Sequence, residues 1–264
     1  MTAPFSSKPM TDARVLFSVR RLCKVFPGGL SALSGISVSI FEKECLVIAG
    51  SNGSGKTLLM RLLIGLTEPT SGEIFFRGRP LRLGIGELRR CVGLVFQDPS
   101  AQIVGETVAE DAEFGPKNLG LPKSEAAVLA ESALTAVGLW EKRAIPPRRL
   151  SGGEKRRLAV AGILAMGCSA VIFDEPFANL DWVGVTQTLE SIRKLKSEGK
   201  TVIILTHELE KVLAYADRLI ILHKGAIRDD GGPEEVLGRL DPAYGVRDPR
   251  VAYTSVEDCT WLTG

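Results

Sequence analysis

A chain of 264 residues with 45% hydrophobic and 24% charged side chains has the composition of an ordinary globular protein with a sizeable core. A net charge of +2 creates no field that argues for nucleic acid, so no such partner is expected. The longest apolar runs, such as Val202-Ile203-Ile204-Leu205, fall far below the roughly 18 residues of a membrane span, and residues 1–14 lack the apolar stretch of a secretory signal.

Residues 1–13 read as a loose N-terminal tail. Alternating residues from 15 to 40, broken by Pro27-Gly28-Gly29, predict a small antiparallel unit, which Glu73-Ile74-Phe75-Phe76 and the turn Arg77-Gly78 join. Leu46-Val47-Ile48-Ala49 reads as a buried strand, and the helix at 58–63 follows after a glycine-rich loop. Residues 92–96 form another buried-strand candidate. Between roughly 100 and 166 the pattern turns helical and reads as an insertion into a strand–helix core. Its clearest helix covers 123–137, with Ser124 as the expected N-cap and Gly138 as the stop. The core resumes with strands at 171–173 and 201–205, separated by a helix over 185–198. A strand over 217–222 then enters a hairpin turn that includes His223. Alternating strands and helices predict an α/β fold around a mostly parallel sheet, with ligands at the carboxyl ends of its strands. The domain is expected to span 14–240, leaving 241–264 as a short C-terminal extension. Five cysteines (Cys23, Cys45, Cys91, Cys168, Cys259), odd in number and without a C-x-x-C pair, read as reduced thiols filling the core of a cytoplasmic protein.

The segment Gly50-Ser51-Asn52-Gly53-Ser54-Gly55-Lys56-Thr57 lies between a strand and a helix, and each residue type serves polyphosphate binding. The glycines let successive N–H groups turn inward, and the helix N-terminus adds positive charge. Lys56 reaches the β- and γ-phosphates, and Thr57 offers a hydroxyl to Mg²⁺. Average residue usage would produce this core pattern by chance in about one chain of this length in a hundred. A nucleotide polyphosphate and Mg²⁺ are therefore the expected ligands. The strand at 171–173 ends in Asp174 and Glu175. In a nucleotide-binding chain, Asp174 suits organising the Mg²⁺ ion and its water, and Glu175 suits orienting or deprotonating an attacking water. Ser151, Gly152, Gly153 and Glu154 open a further helix, a second terminus able to receive an anion or simply an ordinary helix cap. Gly84-x-Gly86 lacks the third glycine of a dinucleotide fingerprint and is set aside.

With these motifs in order, the chain resembles the ATPase subunits of ATP-binding-cassette (ABC) transporters over about residues 15–240. The resemblance implies a P-loop NTPase fold with an N-terminal antiparallel β subdomain and an inserted helical subdomain. It implies a Q-loop at Gln97, which contacts Mg²⁺ and the attacking water. It also implies the signature at 150–154, a D-loop ending in Asp181, and a γ-phosphate-sensing His207. Phe26 stands where the family places an aromatic ring against adenine. Two such subunits are expected to sandwich two ATP molecules, each between the phosphate loop of one and the Ser151-Gly152-Gly153 segment of the other.

The stretch from Gln97 to Gly120 is similar to the ATPases of energy-coupling-factor importers, which take up cobalt, nickel or vitamins. That implies an integral-membrane scaffold, a separate substrate-capture protein and a position on the cytoplasmic face of the membrane. Glu110 and Asp111 are expected to face a basic helix of the scaffold. Phe177 and Trp182 depart from the threonine and proline common in relatives, close to the expected dimer interface. ABC ATPases of DNA repair or translation are the rival reading, against which stand the lack of a heptad run and a single set of motifs. An inactive regulator is a further rival, opposed by the intact Lys56, Asp174, Glu175 and His207. The basic cluster of Arg148, Arg149, Lys155, Arg156 and Arg157 reads as a solvated or nucleotide-facing part of the signature helix. His223 reads as an ordinary turn residue.

Overall fold

The computed structural model describes residues 14–251, so the expected tail at 1–13 and the end of the C-terminal extension, with Cys259, lie outside the described residues. Strands β1 (Val15–Val25) and β2 (Ser31–Phe41) form an antiparallel hairpin across Pro27-Gly28-Gly29. Strand β3 (Cys45–Ala49) and helix α1 (Lys56–Leu63) flank the glycine-rich loop, after which β4 (Ser71–Phe76) and the two-residue β5 (Arg79–Pro80) complete an antiparallel sheet of order β2-β1-β4-β5. Helix α2 (Leu81–Cys91) and strand β6 (Val92–Val95) lead into the helical region, α3 (Val108–Asn118), α4 (Lys123–Ala136) and α5 (Gly152–Ala165). Strand β7 (Ala170–Asp174), helix α6 (Trp182–Ser197) and strand β8 (Thr201–Thr206) return the chain to the core. Helix α7 (Leu209–Val212), strands β9 (Arg218–His223) and β10 (Ala226–Gly231) and helix α8 (Pro233–Gly238) follow. The second sheet has the order β10-β9-β3-β8-β7-β6, parallel except for the edge strand β10.

All residues of β3, β7 and β8 are buried, as a parallel sheet covered on both faces requires. The two-residue period sorts their side chains into two cores. Val47, Val171, Phe173, Val202 and Ile204 pack with Leu158 of α5 and Ile192 of α6. Leu46, Ile48, Ile172, Ile203 and Leu205 pack with Leu59 of α1 and with Phe17, Ile36 and Phe76 of the antiparallel sheet. The parallel sheet is thus held between the helical region and the β subdomain, and its carboxyl edge carries the loops after β3, β6, β7 and β8.

Four local expectations are corrected. Helix α4 begins at Lys123 behind Pro122, whose backbone takes the capping position without a side-chain bond, so Ser124 lies inside the first turn. At its other end Gly138 takes φ 69°, and the N–H groups of Gly138 and Leu139 donate to Thr135 and Leu134. That pair closes the last carbonyls in a Schellman arrangement, for which a left-handed glycine is suited. Helix α6 starts at Trp182, three residues before the expected start, because the Asp181 carboxylate caps it by accepting from the Gly184 N–H at 2.8 Å. Helix α2 was not anticipated. Leu81, Ile85 and Leu88 carry helical spacing, but Gly84 and Gly86 within it weaken the signal. His223 ends β9 instead of lying in the turn, and its ring sits 5.5 Å from that of Tyr244.

Candidate functional site

The glycine-rich loop is held by its neighbours as well as by its own geometry. A Cβ at Gly50 would lie 2.2 Å from the Leu222 carbonyl oxygen, so only glycine fits there. Gly53 and Gly55 take φ of 79° and 108°, which lets the chain curl before α1. The Gly225 N–H of the β9–β10 turn donates to the Ser54 carbonyl at 3.0 Å, clamping the loop from outside. The buried Ser54 hydroxyl has no protein partner.

Lys56, 5% exposed, donates from Nζ to the carbonyls of Gly50 at 2.6 Å and Ser51 at 3.2 Å. Its Nζ also lies 3.2 Å from Glu175 Oε1, and the other carboxylate oxygen, Oε2, lies 3.0 Å from His207 Nδ1. A lysine at the start of α1, a carboxylate just after β7 and an imidazole just after β8 thus form one connected group. Glu175 sits at φ 46°, a strained setting for a residue with a side chain, with its N–H donating to the Leu205 carbonyl at 2.8 Å. Beside it, the Thr57 hydroxyl lies 3.1 Å from each oxygen of Asp174. Burial pushes the Asp174 carboxyl above the usual carboxylate range, against the Thr57 hydrogen bond that favours its charged form. A cavity of about 350 Å³ opens here, lined by Asn52, Gly53, Lys56, Thr57, Gln97, Glu175 and His207 among others.

The structure does not gather every expected site residue into this cavity. Ser151, Gly152, Gly153 and Glu154 line a separate one together with Asn179, Leu180 and Asp181. There Ser151 and Glu154 form a reciprocal capping box at the start of α5. Burial would raise the Glu154 carboxyl, but its ion pair with Lys142 and the Ser151 N–H outweigh it and hold it low. Phe26 lies at the exposed β1–β2 turn, with Lys24 Nζ 5.7 Å from its ring centre, and does not line the phosphate-loop cavity.

Two side chains differ from their reading in the sequence. Arg156, read within a solvated or nucleotide-facing basic cluster, is 2% exposed and donates to the carbonyls of Pro176 and Gln97. No pattern within α5 separates it from its basic neighbours, since its partners come from two distant loops. Asp111 is taken up by its own loop, accepting from the N–H groups of Val104 at 2.8 Å and Gly105 at 2.9 Å, whereas Glu110 is exposed. Of the two departures near the D-loop, Phe177 is a buried core residue and Trp182 is 83% exposed.

A family model described as ABC transporter matches residues 33–178. The energy-coupling factor transporter ATP-binding protein EcfA of Methanocaldococcus jannaschii is 40% identical over 233 residues, covering 86% of this chain and 84% of that protein. The chain belongs to the ABC transporter ATP-binding family. Within it, the chain is similar to further energy-coupling-factor ATPases, such as EcfA of Carboxydothermus hydrogenoformans, 41% identical over 84% of this chain and 82% of that protein. Among solved structures, cbiO1 of Clostridium perfringens, described as part of the ABC transporter complex cbiONQ, superposes with a TM-score of 0.78 at 35% identity. That superposition covers 85% of this chain and 91% of cbiO1. ABC transporter ATP-binding proteins are ATPases, and this family member is an ATPase of the energy-coupling-factor type. Among the described residues no helix is long and apolar enough to cross a membrane.

Proposed function

We propose that the chain drives an energy-coupling-factor importer by hydrolysing ATP at the cavity around Lys56, Glu175 and His207. The observation that carries this reading is the convergence of these three side chains and Thr57 on one cavity at the carboxyl edge of the parallel sheet, with Asp174 bonded to Thr57 beside it. ATP fits the loop. Its N–H groups and the N-terminus of α1 favour phosphate, and the orphan Ser54 hydroxyl offers a further donor. Lys56 exchanges its contacts to Gly50, Ser51 and Glu175 for the terminal phosphates.

Mg²⁺ fits the oxygen donors beside the loop. Thr57 would hold it directly, with Asp174 and Gln97 organising its water, and a buried carboxylate with a raised pKa gains from a nearby cation. When bound, Mg²⁺ neutralises charge on the β- and γ-phosphates. Gln97 and Glu175 position the attacking water, and Glu175 takes its proton at a carboxylate already bonded to His207. His207, partly exposed at the end of β8, can report the γ-phosphate through that bond.

The separate cavity at Ser151, Gly152 and Gly153 supports a second ATPase subunit, identical or related, whose ATP it would receive. Asp181 belongs to the same junction. The chain then acts as a peripheral subunit on the cytoplasmic face of the membrane, with an integral scaffold and a substrate-capture protein. Coexpression with membrane proteins encoded beside it should move the chain into the membrane fraction. Glu110→Lys should weaken that association, Glu110 being exposed where Asp111 is occupied within its loop. Absence of membrane association with every neighbouring scaffold would overturn the transport reading.

A further inference from the structure

Arg156 is an unusual residue to bury. Arg156 is 2% exposed, no carboxylate among the described residues forms an ion pair with it, and its Nε has no partner among them. Burial disfavours its charge, which the attraction of the exposed Asp98 offsets only in part. Two backbone carbonyls hold it: Nη1 meets Pro176 and Nη2 meets Gln97 at 2.9 Å. An unpaired buried cation is costly, and an apolar side chain of similar volume would fill the space without that cost. What the guanidinium does that an apolar group cannot is bind two loops at once in a fixed fork geometry.

Those two loops carry the groups that face the attacking water. One holds Gln97 itself. The other begins at Glu175, whose φ of 46° needs support from outside the residue. Helix α5 supplies the arginine, and its N-terminus carries Ser151, Gly152 and Gly153, three to five positions upstream of Arg156. A helix segment this short moves as a rigid piece. A displacement of the α5 N-terminus therefore reaches Gln97 and Pro176 through one side chain.

From this arrangement we infer that Arg156 is a positioning residue for hydrolysis, tying Gln97 and Glu175 of its own site to the helix terminus that meets the partner subunit's ATP. This rests on the proposed function above. ATP bound across the interface then sets the water-facing groups of the other site, which makes the two sites cooperative. Lysine at this position keeps the charge but lacks the planar fork that fixes both carbonyls in one geometry. Methionine keeps most of the volume and holds neither.

Arg156→Lys and Arg156→Met are assayed beside wild type in whichever assembly hydrolyses ATP, the chain alone or with its membrane partners. Expected results are ATP Kd within twofold of wild type, kcat reduced at least tenfold, and a Hill coefficient falling towards one. Added guanidinium at low millimolar concentration should partly restore kcat in Arg156→Gly, since the free ion can rejoin the two carbonyls. Wild-type kcat and Hill coefficient in Arg156→Lys and Arg156→Met overturn the inference. So does a parallel loss of kcat, ATP affinity and Tm in all three variants without guanidinium rescue, which marks a purely structural residue. A wild type that binds and hydrolyses no ATP in any assembly overturns the proposed function itself, and the inference with it.

Discussion

Replacing Glu175 by Gln separates three tasks that the structure assigns to one carboxylate. The side chain pairs with Lys56 at 3.2 Å, meets His207 at 3.0 Å and lines the cavity where water would attack. Glutamine keeps the size and hydrogen-bonding reach but loses the charge and the basicity. Loss of general-base assistance lowers turnover by roughly 10²–10⁴-fold. In the free protein, Lys56 and Glu175 are both largely buried, with side chains 6% and 8% exposed, so solvent screens their attraction little. Weakening one charged hydrogen bond of this kind costs about 1.5–3 kcal/mol. At about 2–4 °C per kcal/mol for a domain of this size, Tm without nucleotide should fall by roughly 3–12 °C.

Bound ATP reverses that loss, because Lys56 then faces phosphate and no longer needs the carboxylate. The ATP-induced rise in Tm should therefore be larger in Glu175→Gln than in wild type. ATP affinity should be equal or higher, since a negative charge beside the γ-phosphate has gone. With hydrolysis blocked, the variant should accumulate as an ATP-bound dimer with itself or with its sister subunit. Differential scanning calorimetry with and without Mg·ATP, phosphate release, and ATP-dependent light scattering on one preparation measure all of this. Wild-type turnover would show that Glu175 is not the base. Loss of ATP binding would show that Glu175 organises the nucleotide site before chemistry, and either result refutes the reasoning.

Lys56→Ala removes a charge-assisted contact to phosphate worth about 1.5–3 kcal/mol, so ATP affinity or kcat should fall at least tenfold, read by nucleotide titration and phosphate release. Asp174→Asn should abolish Mg²⁺-dependent hydrolysis yet raise Tm of the nucleotide-free protein at neutral pH. The native carboxyl titrates above its unfolded value, so stability falls as pH rises from the unfolded to the native pKa, and the cost is absent below the unfolded value. The Tm difference between variant and wild type should accordingly vanish in acid, and a difference independent of pH would refute this account.

The phosphate loop, the paired acids at the end of β7 and the histidine after β8 were legible in the chain because each combines a local motif with an adjacent buried strand. Near-continuous apolar runs at 46–49, 171–173 and 201–205 specify strands covered on both faces, and side chains following such strands must emerge at one sheet edge. Local chemistry also fixed the stop of α4 at Gly138. The start of α6 lies three residues before the apolar spacing indicates, because the Asp181 carboxylate caps the helix there.

Tertiary structure alone decided what each polar group spends its charge on. Arg156 and Lys155 are neighbours in one basic run, yet packing against the loops of Gln97 and Pro176 buries the first while the second stays partly exposed. Glu110 and Asp111 are equally acidic in sequence, but the fold of residues 104–105 occupies only Asp111. The link from Lys56 through Glu175 to His207 spans residues up to 151 positions apart, read as 207 minus 56, and no local pattern encodes it. Helix and strand follow from short-range periodicity and steric preference, whereas hydrogen-bond partners follow from how distant segments meet. The sequence by itself therefore named the chemistry, and the packing of the sheet edge chose which side chains share it.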